Sequence, residues 1–450
     1  MSLAHRPDET SPFVRAFLAD RGLHGIRAAG PGNLDLAIDA RDEMLGFLLE
    51  SSEGDRERAL FAYFRSGLSV ADSLLQVLRW RFHDLSRIKV LDFASGYGRI
   101  TRFLLREISP DRLWVSDVYA DGVRFQEERF GVRGVVSTVR PEDFSLGETF
   151  DAILVTSLFT HLPEERFLAW LRVLCGRLNP GGVLAFSTHD VSLLIPRPEI
   201  PESGLLFQEI SESGSLDTSD YGSTWVTEDF VRGAVARVSP SFSVHRLERA
   251  LCNYQDLYVA VLEPGVDFSR LGFQAEPELS LERCELVGPD RLEMNGWAAA
   301  RNGRAEVVEV LLDGELLASF PVDHLRPEVA ETFGPGFLRS GWVGVCPLPP
   351  GLSRTSAVLL IRVRDGQGKS HLLRAGSLES LLLESARNNA AALRRELRET
   401  EDRLRETQAW ANAEINGLQA RIAAMKGSRF WKMRDAWFRL KRTLGLTRED

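Results

Sequence analysis

Cysteine is scarce and never paired. The four present, Cys175, Cys252, Cys284 and Cys346, stand alone, with no Cys-x-x-Cys and no Cys/His cluster. That spacing excludes a disulfide scaffold and argues against a zinc site, so no metal is expected and a reduced, cytosolic chain is. Long apolar runs are missing too: none approaches the ~20 residues that a membrane-spanning helix needs. The stretch from Met1 to Pro12 carries His5, Arg6, Asp8 and Glu9 and has no apolar core, so it does not read as a secretory leader. Positive charge is in deficit. Against 64 Asp and Glu stand 55 Lys and Arg, a net charge of −9, which speaks against a broad basic surface for nucleic acid. Among the charged residue types lysine is rarest, five residues in all, and three of them sit at 426, 432 and 441. Codon usage in a GC-rich genome would account for the rarity.

What is present suits a globular protein: 450 residues, 44% hydrophobic and 26% charged, enough for two to four domains. Residues 1–85 read as a helical segment, with apolar residues three and four apart over 13–18, 36–49 and 70–82. Short apolar runs then alternate with helical patterns through residue 264. The runs are Ile88–Phe93, Leu113–Val118, Gly134–Ser137, Ala152–Thr156 and Val183–Ser187, followed by a close pair near Phe242–Leu247 and Leu257–Leu262. This predicts an α/β domain over 86–264, mostly parallel, ending in an antiparallel pair. Residues 264–277, with Pro264, Gly265, Gly272 and Pro277, read as a linker. Strand-like runs separated by Asp313-Gly314 and Asp365-Gly366 then predict a small β-sandwich domain over 278–375.

Proline vanishes after residue 377. Leu383, Ala390, Leu397, Leu404, Ala411, Leu418 and Met425 fall seven apart, accompanied by Ala386 and Leu393 three residues on, then Ile415 and Ile422 four residues on. Thr400 and Thr407 weaken that second seam. The pattern predicts a coiled coil over 377–426 and a homo-oligomer. A basic amphipathic helix is expected over 428–445. Phe430, Met433, Trp437, Leu440 and Leu444 make its apolar face, and residues 426–442 hold seven basic side chains and one acid. Such a segment suits an anionic membrane surface, or alternatively a protein partner.

The stretch with most chemical content is Val90-Leu91-Asp92-Phe93-Ala94-Ser95-Gly96-Tyr97-Gly98-Arg99. A buried strand ends in an acid, passes a small-residue turn and opens a helix, which offers close backbone approach and unpaired N–H groups. Asp117, 21 residues beyond Gly96, ends the next strand where an acid accepts hydrogen bonds from ribose hydroxyls. A nicotinamide fingerprint fails, because Gly96-x-Gly98 is followed by Thr101 and Ala94-x-Gly96 by Arg99.

Asp92-x-Ala94-x-Gly96-x-Gly98 instead resembles motif I of the class I S-adenosylmethionine-dependent methyltransferases, acid-x-Gly-x-Gly-x-Gly, with alanine at the first glycine. Phe150–Leu154 resembles the family's fourth strand, and Asn179-Pro180-Gly181-Gly182 its approach to strand five. The likeness covers residues 60–262 and implies a Rossmann-like domain that binds S-adenosylmethionine. It assigns Asp92, Ala94, Ser95, Gly96 and Gly98 to the loop, Asp117 to the ribose, Ser157 to the segment after strand four, and Glu142 or Asp143 to the adenine. Arg140 stands where the family's own acid is expected. Arg65 is either a partner for the methionine carboxylate or a surface arginine.

His161 follows strand four and His189 ends strand five, so either can serve as general base for a hydroxyl acceptor. Tyr221, Trp225, Tyr254, Gln255 and Asp256 fall near the same rim and are candidate acceptor contacts. Trp297 and Trp342 of the sandwich either stack on sugars or fill its core. The β-module and the Ser428-Arg429-Phe430-Trp431-Lys432 ending look like parts of bacterial surface-polysaccharide enzymes. That resemblance implies a glycan or lipid-linked sugar acceptor, no nucleic acid, and a cytoplasmic protein peripheral on the inner face of the cell membrane. The alternatives are a small-molecule or protein methyltransferase that uses its coil only to oligomerise, and a non-catalytic assembly scaffold.

Overall fold

A computed structural model describes residues 11–23, 34–196, 198–211, 213–300 and 303–445. Of the stretch weighed as a leader, only Ser11 and Pro12 fall within them. The chain divides into two units, 1–383 and 384–450.

Three helices open the first unit: α1 (Pro12–Asp20), α2 (Glu43–Ser51) and α3 (Arg56–Arg81). Each starts on a side-chain cap, Ser11, Asp42 and Asp55 respectively, that accepts from a backbone N–H of the first turn. The helix expected from residue 36 begins only at 43, because Asp42 caps it there and 34–42 stay irregular.

The α/β core follows as β1 (Val90–Phe93), α4 (Thr101–Leu104), β2 (Leu113–Asp117), α5 (Ala120–Phe130), β3 (Arg133–Val136), β4 (Phe150–Val155), α6 (Glu164–Cys175) and β5 (Leu178–Asp190). Then come β6 (Leu205–Gln208), β7 (Ser223–Val226), α7 (Glu228–Val238), β8 (Ser243–Leu251) and β9 (Gln255–Val261). Strands β3-β2-β1-β4-β5 are parallel; β9 lies antiparallel along β5, with β8 outside it. The order steps outward in both directions from between β1 and β4, the switch point where such sheets bind ligands. Near-continuous apolar runs serve these strands because helices cover both faces. The β6–β7 hairpin was not expected. It joins the carboxyl end of β5 through His189–Trp225 and Asp190–Val226.

Residues 264–277, expected as a linker, are tied to α3 instead. Gln76 and Gln274 exchange two hydrogen bonds, Phe268 stacks on Trp80, and Glu276 accepts from Arg65 and Ser69. Next come β10 (Glu278–Leu286), β11 (Arg291–Ala299), β12 (Ala305–Leu312), β13 (Glu315–Pro321), α8 (Pro327–Phe333), β14 (Gly341–Pro347), β15 (Val358–Asp365) and β16 (Ser370–Ser377). They form antiparallel sheets β10-β11-β14 and β13-β12-β15-β16 around one core. Asn295-Gly296 lies within β11, where a Cβ on Gly296 would stand 1.9 Å from the Ser280 carbonyl oxygen. Trp342 is buried in that core, while Trp297 is half-buried against Phe333.

Helix α9 (Leu378–Gly427) begins in the first unit and continues through the second. Leu393, Leu397, Leu404, Ile415, Leu418, Ile422 and Met425 are exposed along it. Ser428 then caps α10 (Arg429–Thr443), whose Phe430, Met433, Trp437 and Leu440 are exposed as well. No helix among the described residues is long and apolar enough to cross a membrane.

Candidate active site

The turn leaving β1 is shaped by left-handed backbone. Ala94, at the family's first glycine position, has φ of 57°, a conformation that costs a residue with a Cβ about 1 kcal/mol. Gly96 shares that φ, and a Cβ built there meets nothing within 4 Å, so its face is open. Gly98 is needed for another reason: a Cβ would stand 2.4 Å from the ring of Phe130 on α5. Asp117, at the end of β2, locks the turn, accepting from Gly96 N–H at 2.7 Å and from Tyr119 N–H at 3.0 Å.

Above the turn opens a cavity of about 440 Å³. Ala94, Ser95, Gly96 and Asp117 line its floor, with Ser137, Thr138 and Val139 after β3 and Thr156, Ser157 and Leu158 after β4. Two walls were not foreseen. One is Asp42, Glu43 and Met44 at the start of α2. The other is Ser213, Ser215, Leu216, Asp217 and Asp220, between β6 and β7. Tyr119 joins the walls: its hydroxyl lies 2.6 Å from Ser215 Oγ and 3.2 Å from Glu43, and Ser215 donates to Glu43 at 2.8 Å. An Asp-Glu pair ahead of an apolar run is the sequence signal that could have found Asp42; the Ser-rich 211–220 segment carries no comparable one.

Several expected contacts fall elsewhere. Asp92 lies beneath the loop, not on the cavity. It accepts from Thr101 Oγ1 at 2.7 Å, its Oδ1 has no partner, and burial pushes the carboxyl up to about 7. Arg65 is turned away and paired with Glu276 at 3.1 Å; the arginine that lines the cavity is Arg99. Glu142 and Asp143 are exposed outside it, because Pro141 opens a short 3-10 turn that carries them outward. Asp256 is buried and held by Arg246 at 2.7 Å and by Arg249 N–H at 2.8 Å, a structural role. Trp225 pairs with His189 across the strands and does not reach the cavity.

Neither histidine lines the cavity itself; both stand beside it. His161 Nδ1 is 2.7 Å from the Gly222 carbonyl oxygen, which fixes the proton on Nδ1 and leaves Nε2 as an acceptor. Its ring stacks at 4.4 Å on Tyr221, which does line the cavity. Gln255 Nε2 donates to Ser157 Oγ at 3.1 Å and lies 3.4 Å from His189 Nε2, while Tyr254 packs edge-on against that imidazole at 5.0 Å. Burial lowers both histidines, His189 to about 4, so both are neutral at pH 7.

The open face of Gly96, the carboxylate of Asp117 beside it and the apolar flanks Val139 and Leu158 fit a nucleoside. Residues 90–182 match the family model for a methyltransferase domain. Over those residues the chain carries a methyltransferase domain. Similar solved structures include an S-adenosylmethionine-dependent methyltransferase from Clostridium acetobutylicum, 12% identical, covering 43% of this chain and 91% of that one at a TM-score of 0.33. The glycopeptide N-methyltransferase MtfA is 16% identical, with coverages of 44% and 90% and a TM-score of 0.32. The N-methyltransferase NodS of Bradyrhizobium japonicum is 15% identical, with coverages of 43% and 86% and a TM-score of 0.29. No curated protein matches the chain. Among the described residues no cluster of His, Cys, Asp or Glu is placed to hold a metal ion.

Proposed function

We propose that the methyltransferase domain methylates a hydroxyl on a cell-surface glycan or its lipid-linked precursor, at the inner face of the cell membrane. The observation that carries the hydroxyl acceptor is the state of His161: neutral, with its tautomer fixed by Gly222, and stacked on a cavity-lining tyrosine. S-adenosylmethionine, when bound, supplies a methyl group on a sulfonium. Asp117 would hold its ribose, and the loop from Ala94 to Gly96 would give it backbone to lie against. His161 takes the acceptor's proton at Nε2, and Gln255 with His189 orders Ser157 at the rim.

The membrane part of the reading rests on α10. Aromatic side chains are exposed along it beside an excess of six positive charges over residues 426–442. Exposure of the heptad seam on α9 supports pairing with a second copy of the chain.

A methyl-transfer assay against glycan and lipid-linked sugar acceptors tests the reading. His161→Gln is expected to lower kcat by about a hundredfold or more while cofactor affinity holds. Asp117→Ala is expected to weaken binding of S-adenosylhomocysteine strongly in titration calorimetry. Undiminished turnover by His161→Gln would remove the base assignment, and absence of transfer to any sugar acceptor would remove the substrate.

A further inference from the structure

One stretch of the β6–β7 insertion, residues 213–222, touches both the base and the ribose side of the cavity. Its root is bonded to the turn that carries His161. Gly222 N–H donates to the His161 carbonyl oxygen at 2.8 Å, and His161 Nδ1 donates to the Gly222 carbonyl oxygen at 2.7 Å. Tyr221 stacks on the imidazole, and Asp220 pairs with Arg166 at 3.0 Å. One residue past Ser223, Thr224 N–H donates to the Thr160 carbonyl oxygen at 2.8 Å and anchors β7 to the same turn. The tip is held by hydroxyls. Ser215 Oγ lies 2.6 Å from the Tyr119 hydroxyl and donates to Glu43 at 2.8 Å, and Ser213 Oγ lies 3.3 Å from the same tyrosine. Tyr119 N–H in turn donates to Asp117, the carboxylate assigned to the ribose, at 3.0 Å.

Between tip and root the chain is closed on itself. The Asp217 carbonyl oxygen accepts from Asp220 N–H at 3.0 Å and from Tyr221 N–H at 2.9 Å, while the Asp217 carboxylate accepts from Ser219 N–H at 2.9 Å. A turn bonded in this way passes a displacement of one end to the other. The root matters to the chemistry because a neutral imidazole left alone shares its proton between both nitrogens and turns freely. The Gly222 carbonyl oxygen keeps that proton on Nδ1, and the Tyr221 ring fixes the plane in which Nε2 points. The tip is the weaker attachment. Each neutral hydroxyl bond open to water favours the closed arrangement by a factor of about two to ten.

We infer that residues 213–222 are a strap that sets the base, with Ser213, Ser215 and Tyr119 as positioning residues that act on His161 through Tyr221 and Gly222. The inference rests on the reading of His161 as the base. It gives the unforeseen wall of the cavity a task, and it joins that task to the cofactor: a ribose held on Asp117 steadies Tyr119, and Tyr119 steadies the tip. By linkage, a strap in place favours the ribose in return.

Hydrogen exchange on the full chain reads this coupling without turnover. In the double variant Ser213→Ala, Ser215→Ala, the Gly222 amide is expected to exchange about tenfold faster or more, as several lost hydroxyl bonds would give if the strap opens as one unit. The Thr224 amide, in β7, should keep its protection and show that the hairpin is folded. S-adenosylhomocysteine should slow exchange at Gly222 in the unaltered protein, and less so in the double variant. In the methyl-transfer assay the double variant should lose about tenfold in kcat with little change in acceptor KM. Tyr221→Leu, which removes the ring, should lower kcat similarly, and Tyr221→Phe, which restores it, should recover most of the loss. Faster exchange confined to residues 213–216, with Gly222 unchanged, would overturn the strap, as would a loss seen in KM alone. A double variant with full kcat beside an inactive His161→Gln removes the strap and leaves the base. Undiminished turnover by His161→Gln removes the base reading and the strap's task with it.

Discussion

Burial pushes the Asp92 carboxyl up to about 7, with the nearby Asp117 charge adding to the effect. An unfolded chain ionises this group near pH 4, so between there and pH 7 the native state alone keeps the proton. The stability it contributes is complete below that window and is lost as pH rises through it, by up to about 1.4 kcal/mol per unit. His189 runs the other way: held down to about 4, it contributes above its ordinary value near 6.5 and loses that as pH falls. Asp92→Asn keeps the bond from Thr101 and removes the titration. The stability difference between variant and unaltered protein, from denaturant unfolding at pH 5, 6 and 7, is expected to move in the variant's favour as pH rises. A difference independent of pH would mean that Asp92 is ionised throughout. At this scale the sequence was legible where backbone makes the contact. The loop and Asp117 announced themselves by spacing, whereas Arg65 and Asp256 are polar residues near the rim whose ion pairs no spacing reveals.

Among the elements, the parallel strands could be read because they are buried on both faces and therefore uniformly apolar. The β6–β7 hairpin could not: residues 195–222 are rich in Ser, Pro, Gly and acid, yet they supply one wall of the cavity. Helix α9 was written plainly in its heptads, and if two copies pair through them, the same heptads bear on the orientation of the pair. Its companion seam changes from three residues on to four between Thr407 and Ile415, a single stutter. In a parallel, in-register pair that break faces itself; in an antiparallel pair it faces unbroken heptads. Single cysteines at Leu397→Cys and at Leu418→Cys, one on each side of the stutter, are expected to form symmetric disulfide-linked dimers. Cys252, the exposed native cysteine, is replaced by serine in both. Failure of both to cross-link on mild oxidation would exclude the parallel pair.

For the molecule as a whole, the net charge of −9 conceals an excess of six positive charges over residues 426–442. Each basic side chain close to an anionic leaflet contributes roughly 1 kcal/mol, and parallel pairing would bring two tails to one surface. Deleting residues 428–450 is therefore expected to abolish co-sedimentation with anionic vesicles, and raising salt to weaken it in the full chain. Binding that survives both the deletion and the salt would place the contact elsewhere. The division at 264–277 was the part of the architecture least open to sequence reading, because its Pro and Gly suggest an untethered connection while its Gln274 and Glu276 tie it to α3.

The β-domain has one more consequence. Val358, Leu360 and Leu372 share a core with Val14, Phe17 and Leu18 of α1, and Arg362 holds Asp20 at 2.8 Å across 342 residues of chain. At about 5–20 residues per second, a ribosome needs roughly 20–70 seconds to make the chain between those partners. During that time α1 has α3 to pack on, through Phe17 and Phe61, but not the rest of its cover. The last strands of the β-domain complete that cover, so a premature stop before residue 358 would leave part of the first helix, and not only the last strands, exposed beyond what α3 covers.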